Sequence, residues 1–178
     1  MGPKGISKTG YTYLWELIAE RETGNNKPVP TTQAMQWGID QEPFAGIECV
    51  KTTGEDLIQG ESITKGSLVA TPDFLHIDSE EKYGVEAKCP HASYKQSQRL
   101  RYKSWKDVKK HMPDYYWQMI AGMVATGMKQ WKFISFDPRF IDVKKRLVII
   151  DIPYNEEDIS LMLERIEEAE AFFIENKA

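Results

Sequence analysis

Two short segments constrain this chain more than any others: Thr71-Pro72-Asp73 and, after an interval of twelve residues, Glu86-Ala87-Lys88. In an extended strand, residues two apart share a face, so Glu86 and Lys88 project together while Val85 and Ala87 point the opposite way, into a core. The cluster Asp78-Ser79-Glu80-Glu81 is turn chemistry and predicts a hairpin that brings Asp73 alongside them. Ala70, Phe74, Val85 and Ala87 are apolar and Cys89-Pro90 ends the strand, so the charged residues lie in an otherwise core-like hairpin. Two carboxylates converging from adjacent strands form a hard oxygen site of the kind Mg²⁺ prefers, completed by a backbone carbonyl, water and substrate phosphate oxygens. Beside them, Lys88 would orient an attacking water or stabilise charge developing on a phosphate. The competing reading is a salt-bridged hairpin surface, because an E-x-K triplet arises by chance in many chains.

Around the hairpin, periodicity predicts further elements. Tyr13, Leu14, Leu17 and Ile18 recur at helical spacing within a first helix over Thr12–Glu22, with Gly24 as its C-cap. Thr31 or Thr32 caps a second helix on which Met35, Ile39, Ala45 and Cys49 recur, with Pro43 as a possible kink. Strands are predicted over Asp56–Ile63, Ser67–Ile77 and Lys82–Lys88. A third helix follows over Asp114–Met128, then strands over Gln130–Phe136 and Arg146–Ile152 around the loop Asp137-Pro138-Arg139. Asn155 caps a terminal helix with Asp158 as its reciprocal acid and Ile159, Leu163, Ile166 and Phe173 as its buried stripe. The expected fold is α/β, a mixed sheet flanked by helices. At 178 residues it is expected to form one domain.

Composition narrows the partners. Hydrophobic residues make up 41% and charged residues 28%, which excludes a disordered chain. No apolar run approaches the roughly 18 residues that span a bilayer, and MGPKGISKTG lacks the apolar core of a signal peptide, so a cytoplasmic protein is expected. The two cysteines, Cys49 and Cys89, form no CxxC pair and are expected as buried or partly buried thiols, which disfavours a zinc ribbon or a four-cysteine iron–sulfur cluster. Net charge is −4, yet residues 91–110 carry +6 and the remainder −10. Lys95, Arg99, Arg101, Lys103 and Lys106, interleaved with Tyr94, Tyr102 and Trp105, suit phosphate contact plus stacking on bases. The blander reading of such a run is a solvated surface segment. Two polar residues on helices join the candidates: Glu42, about a turn after Ile39, as a third carboxylate, and Gln118, expected as a buried amide between Trp117 and Met119.

Five segments in this order, AMQWGIDQEPFAGIE around Glu42, TPDF at Asp73, VEAKCP from Val85, YYWQMIAGMVAT around Gln118 and FDPRF from Phe136, resemble the lambda exonuclease and YqaJ-like viral recombinase family of the PD-(D/E)xK nuclease superfamily. The resemblance implies that Asp73, Glu86 and the carbonyl of Ala87 hold a catalytic Mg²⁺ (or Mn²⁺), that Lys88 positions or activates water, and that Glu42 and Gln118 complete the site. It further implies hydrolysis of one strand of duplex DNA from its 5′ end, leaving 3′ overhangs. A ring-shaped homotrimer encircling DNA, a single-strand annealing protein as partner, and a phage or prophage setting in a bacterial host come with it. Family members generally grip the 5′-phosphate with an Arg and a Ser upstream of the first helix. Lys4 and Lys8 lie in that direction but match no motif, and no counterpart is expected here. Two other readings remain: an endonuclease on the same core, and a catalytically silent DNA-binding subunit.

Overall fold

The computed structural model describes residues 5–25, 28–77 and 80–177; Lys4 and the expected turn residues Asp78 and Ser79 lie outside these ranges. Ser7 caps α1 (Lys8–Thr23), a turn earlier than periodicity suggests. Of its predicted apolar face only Ile18 is buried and Tyr13 is exposed, because this helix meets α6 rather than the sheet. Thr32 accepts the Met35 N–H to start α2 (Gln33–Thr53), which continues through Pro43 and stops at Gly54 in the left-handed region.

The single strand expected over Asp56–Ile63 is two short pieces, β1 (Ile58–Gln59) and the start of β2 (Ile63–Lys65). The strand expected over Ser67–Ile77 likewise divides into β3 (Leu68–Ala70) and β4 (Phe74–His76), which join different sheets. Pro72 between them has no N–H to give a ladder, and Asp73 leaves it with its side chain free to turn inward. After β5 (Tyr83–Lys88) come two short helices, α3 (Ser93–Arg99) and α4 (Trp105–His111), then α5 (Pro113–Thr126), β6 (Gln130–Phe136), β7 (Leu147–Pro153) and α6 (Glu156–Asn176). The main sheet has the order β1-β4-β5-β6-β7; β5 and β6 are parallel and the other neighbours antiparallel, so this is the mixed sheet flanked by helices that the sequence leads one to expect. A parallel pair needs a long crossover, and here α3, α4 and α5 supply it. β2 and β3 form a separate ribbon against α5.

Alternation along β6 and β7 divides the core. Trp131, Phe133, Val148, Ile150 and Ile152 pack with Met119, Ile120 and Met123 of α5 and Ile159 and Met162 of α6. Ile134, Phe136, Val85 and Ala87 pack with Ala45 and Cys49 of α2. On α6 the buried stripe therefore runs through Met162, while Leu163, expected inside, is 45% exposed. Two glycines set how closely helices approach. A Cβ on Gly122 of α5 would lie 2.4 Å from the Trp131 indole, and one on Gly46 of α2 would lie 2.7 Å from the Phe74 ring. Both contacts exclude any side chain, so α5 closes on β6 and α2 on β4. The site lies where those two helices and the ends of β4 and β5 meet.

Candidate active site

The antiparallel register Phe74↔Val85 puts Asp73 just before the start of the β4 ladder, opposite Glu86 and next to Ala87. There its Oδ2 accepts the Ala87 N–H at 2.7 Å, replacing a strand bond with a side-chain bond. Its backbone is fixed as well: Asp73 N–H donates to the Val85 carbonyl at 3.0 Å, and its own carbonyl accepts from Gly60 N–H and the Gln59 amide. Glu86 and Lys88 share a face, as period two requires, but that face is covered; Glu86 is 1% exposed. Lys88 forms an ion pair with Glu86 Oε1, stands 4.0 Å from Asp73 Oδ2, and lies 5.0 Å from the Tyr115 ring centroid on α5.

Electrostatics here differ from those of an ordinary surface hairpin. Burial pushes the Glu86 carboxyl up to about 7, opposed by Lys88 and reinforced by Asp73. Burial also raises Asp73, against the pull of Lys88 and the Ala87 N–H. Glu42 reaches the same cleft from α2, and burial followed by the Asp73 charge raises it. Burial pulls Lys88 down, but Glu86 and Asp73 push it up further, so the side chain stays an ammonium. Cys89, the next residue, is half-buried and its thiol is pushed up to about 12 by burial, then by Glu42 and Asp73, so it offers no thiolate. Three carboxylates held back from ionising around one ammonium are short of positive charge. Oxygen donors in that state suit a hard divalent cation. Among the described residues, no group of three or more His, Cys, Asp or Glu side chains is gathered so as to hold a metal. The expected set of Asp73, Glu86 and a carbonyl is smaller than that, with Lys88 between the carboxylates.

The cleft has a volume of about 420 Å³. Met35 and Ile39 form one wall, exposed rather than in the core as their spacing suggests, because this half of α2 overhangs the site. Lys95 of α3 also lines the cleft. Gln118 departs from expectation: it is exposed, although it lies one turn from Tyr115 on a neighbouring part of α5. Arg99 and Trp105 also depart from their expected DNA-contacting roles. Arg99 is 7% exposed, and its Nη1 donates to Ser135 Oγ at 2.9 Å and to the Lys88 carbonyl at 3.4 Å. It braces the end of β5 from within. Trp105 is half-buried, stacked on Tyr116 at 6.0 Å and packed on the core, so one face is unavailable to a base. Lys95, Arg101, Lys103 and Lys106 are exposed as expected.

Sequence reasoning missed a clamp. Arg139 donates to both Asp137 carboxylate oxygens, to the Pro90 carbonyl at 2.9 Å and to the His91 carbonyl at 3.0 Å, while its guanidinium lies 4.3 Å from the Trp37 ring centroid on α2. One side chain thus joins the segment leaving Lys88 to the helix carrying Glu42. Its only sequence signal was the FDPRF segment. Gln59 was missed too, although its amide bonds both the Asp73 carbonyl and the Glu42 side chain.

Residues 4–129 match the YqaJ-like viral recombinase domain. The chain belongs to the YqaJ-like viral recombinase family. Among solved structures, this family member is similar to an alkaline exonuclease from Laribacter hongkongensis, at 25% identity and a TM-score of 0.79, covering 97% of this chain and 82% of that one. The same enzyme in complex with dAMP gives 26% identity and 0.76, over 94% and 83%. A phage-related exonuclease from Haemophilus somnus 129PT shares the fold at 16% identity and 0.74, over 94% and 82%. No curated protein sequence matches. The alkaline exonuclease fold and the recombinase family agree with the resemblance carried by the five motifs.

Proposed function

We propose that this YqaJ-family nuclease is a metal-dependent deoxyribonuclease that degrades one strand of duplex DNA from its 5′ end and leaves 3′ overhangs. The observation that carries the reading is the convergence of Asp73, Glu86 and Lys88 at the end of the β4–β5 hairpin, with Glu42 entering the same cleft. Asp73, Glu86 and the Ala87 carbonyl would hold Mg²⁺ or Mn²⁺, which supplies Lewis acidity and an activated water when bound. Lys88, kept as an ammonium by its two carboxylates, holds the attacking water and offsets charge developing on the phosphate. Glu42 borders the same water, and Arg139 keeps the Glu42 helix against the segment leaving Lys88. Lys95, Arg101, Lys103 and Lys106 supply phosphate contacts. Likeness to two alkaline exonuclease structures, one holding dAMP, supports DNA as substrate.

The proposal extends to a single domain that assembles as a homotrimer, works beside a single-strand annealing protein, and operates in the cytoplasm of a bacterial host as a phage or prophage product. Among the described residues no helix is long and apolar enough to cross a membrane. Trp15 and Ile174 leave apolar surface on α1 and α6 for contact between copies.

The test is a gel assay with Mg²⁺ or EDTA on linear duplex bearing a 5′-phosphate, linear duplex bearing a 5′-hydroxyl, and covalently closed circles. Metal-dependent loss of linear DNA alone, fastest with the 5′-phosphate, is the expected result. Cutting of closed circles would replace it with the endonuclease reading, and no cutting at all with the silent binding subunit.

A further inference from the structure

Glu42 stands at a weak point of its own helix. Pro43 follows it inside α2 and has no N–H, so the Ile39 carbonyl loses the bond that would close that turn. Two contacts hold the helix on either side. Arg139 meets Trp37 more than a turn earlier, and Gly46 meets the Phe74 ring a turn later. Between α2 and the edge strand β1 lies a hollow of about 410 Å³, bordered by Pro43, Gly46, Ile47, Leu57, Gln59 and Phe74. Close packing on β1 therefore does not fix the Glu42 carboxylate.

Gln59 reaches across this gap from a rigid base. Its register partner on β4 is Phe74, and the next residue, Gly60, donates its N–H to the Asp73 carbonyl at 3.0 Å. Only glycine fits there: a Cβ on Gly60 would lie 1.9 Å from the Pro72 carbonyl oxygen, so this backbone is pressed against the residue preceding Asp73. The Gln59 amide nitrogen then donates to the Asp73 carbonyl at 3.1 Å, and the same side chain bonds that of Glu42. An amide nitrogen carries two hydrogens, one for each of these acceptors. Leucine, of similar size, carries none. Glutamate has none either, and adds charge beside Glu42 and Asp73. For anchoring the strand alone the second bond is superfluous, since Gly60 already serves the Asp73 carbonyl.

We infer that Gln59 is a positioning residue for cleavage: its amide, anchored on the Asp73 backbone, holds the Glu42 carboxylate toward the cleft shared with Glu86 and Lys88. The inference rests on the nuclease reading, since it takes Glu42 as part of the catalytic site. One polar side chain on the sheet edge thereby ties acids from two distant segments into a single unit.

Cleavage kinetics on linear duplex with Mg²⁺, and calorimetry in EDTA, are compared for wild type, Gln59→Leu, Glu42→Ala and the double variant. Gln59→Leu is expected to lower kcat about tenfold with KM for DNA unchanged, and Gln59→Glu to lower it further. Added to Glu42→Ala, Gln59→Leu is expected to change the residual rate by no more than about twofold. In EDTA, Gln59→Leu should lower the thermal midpoint by about 4 °C alone and by about 2 °C in the Glu42→Ala protein, where only the Asp73 bond remains to be lost. Wild-type kcat in Gln59→Leu, a change confined to KM, or a tenfold loss that persists without Glu42 would each overturn the inference. Equal midpoint shifts in the two backgrounds would overturn it too, and they are read without any cleavage. The two claims fail separately. Cleavage with equal midpoint shifts removes the role of Gln59 alone, whereas absent cleavage by the wild type with unequal shifts removes the nuclease reading and leaves the bond between Gln59 and Glu42.

Discussion

Lys109–Asp158 and Lys88–Glu86 are both ammonium–carboxylate pairs that abut α5, the first through Tyr116 and the second through Tyr115, yet their surroundings set them apart. Lys109 Nζ lies 2.7 Å from both Asp158 oxygens, and Tyr116 donates to the same carboxylate at 2.7 Å. One cation meets one anion there, and a tyrosine hydroxyl satisfies the carboxylate further. At Glu86 one cation meets three carboxylates, and burial leaves Glu86 protonating near neutral pH. A pair that closes on itself joins α4 to α6. A pair with surplus acid, open to a cleft, is poised for another cation.

The contrast is sharpest in activity. Lys88→Ala is expected to lower kcat by a factor of about a thousand with the thermal midpoint within a few degrees of wild type, read by single-turnover cleavage and calorimetry. A variant retaining a tenth of the wild-type rate would break the comparison. Asp158→Asn should do the reverse, destabilising the fold by about 2–3 kcal/mol in denaturant titration through the half-orphaned Lys109, with the cleavage rate unchanged.

The acid surplus also gives a pH signature. Glu86 has its folded value raised to about 7, so the stability of its protonated form is fully present below the ordinary carboxylate range and is lost as pH rises through about 7. Glu86→Gln mimics the protonated form. In EDTA it should therefore match wild type near pH 4 and become more stable above pH 7 by at most about 3 kcal/mol. Equal stability of the two proteins at pH 8 would show that Glu86 is as well satisfied as Asp158. The smallest expected effect belongs to the clamp: Arg139→Ala should reduce kcat about tenfold with KM for DNA unchanged, partly recovered by Arg139→Lys, as fits a residue that positions Glu42 through Trp37. A change in KM alone would make Arg139 a DNA contact instead.

How much of this was legible depended on where each residue's partners lie in the sequence. Gln130–Phe136 could be read to the residue because alternation between two apolar clusters is a local signal. Asp73, Glu86 and Lys88 could be associated because one hairpin joins them. The helices α3 and α4 left little trace, since their buried positions are mostly polar: Gln96 donates to the carbonyls of Ser135, Lys145 and Arg146, and Arg99 turns to Ser135. A run of cations does not disclose which member folds inward, so Arg99 and Trp105 were grouped with surface residues. Asp158 was read as a helix-capping acid because its true partners, Lys109 and Tyr116, stand more than forty positions away. The Arg139 clamp was hidden for the same reason, as its contacts join three segments far apart in the chain.

The bond from Ala87 N–H to the Asp73 carboxylate has a consequence for how this hairpin tolerates mutation. Where β4 ends, the next donor of β5 is taken by the very side chain assigned to the chemistry. Residues can be inserted or removed at the tip between β4 and β5 without touching that bond, so hairpin length is free to drift among descendants of this gene. A slip of one residue in the pairing is different, because it turns Glu86 and Lys88 toward α2 and strands Ala87 N–H at the same moment. Lineages in which the tip varies widely and the Phe74–Val85 pairing does not vary are what this arrangement would leave behind.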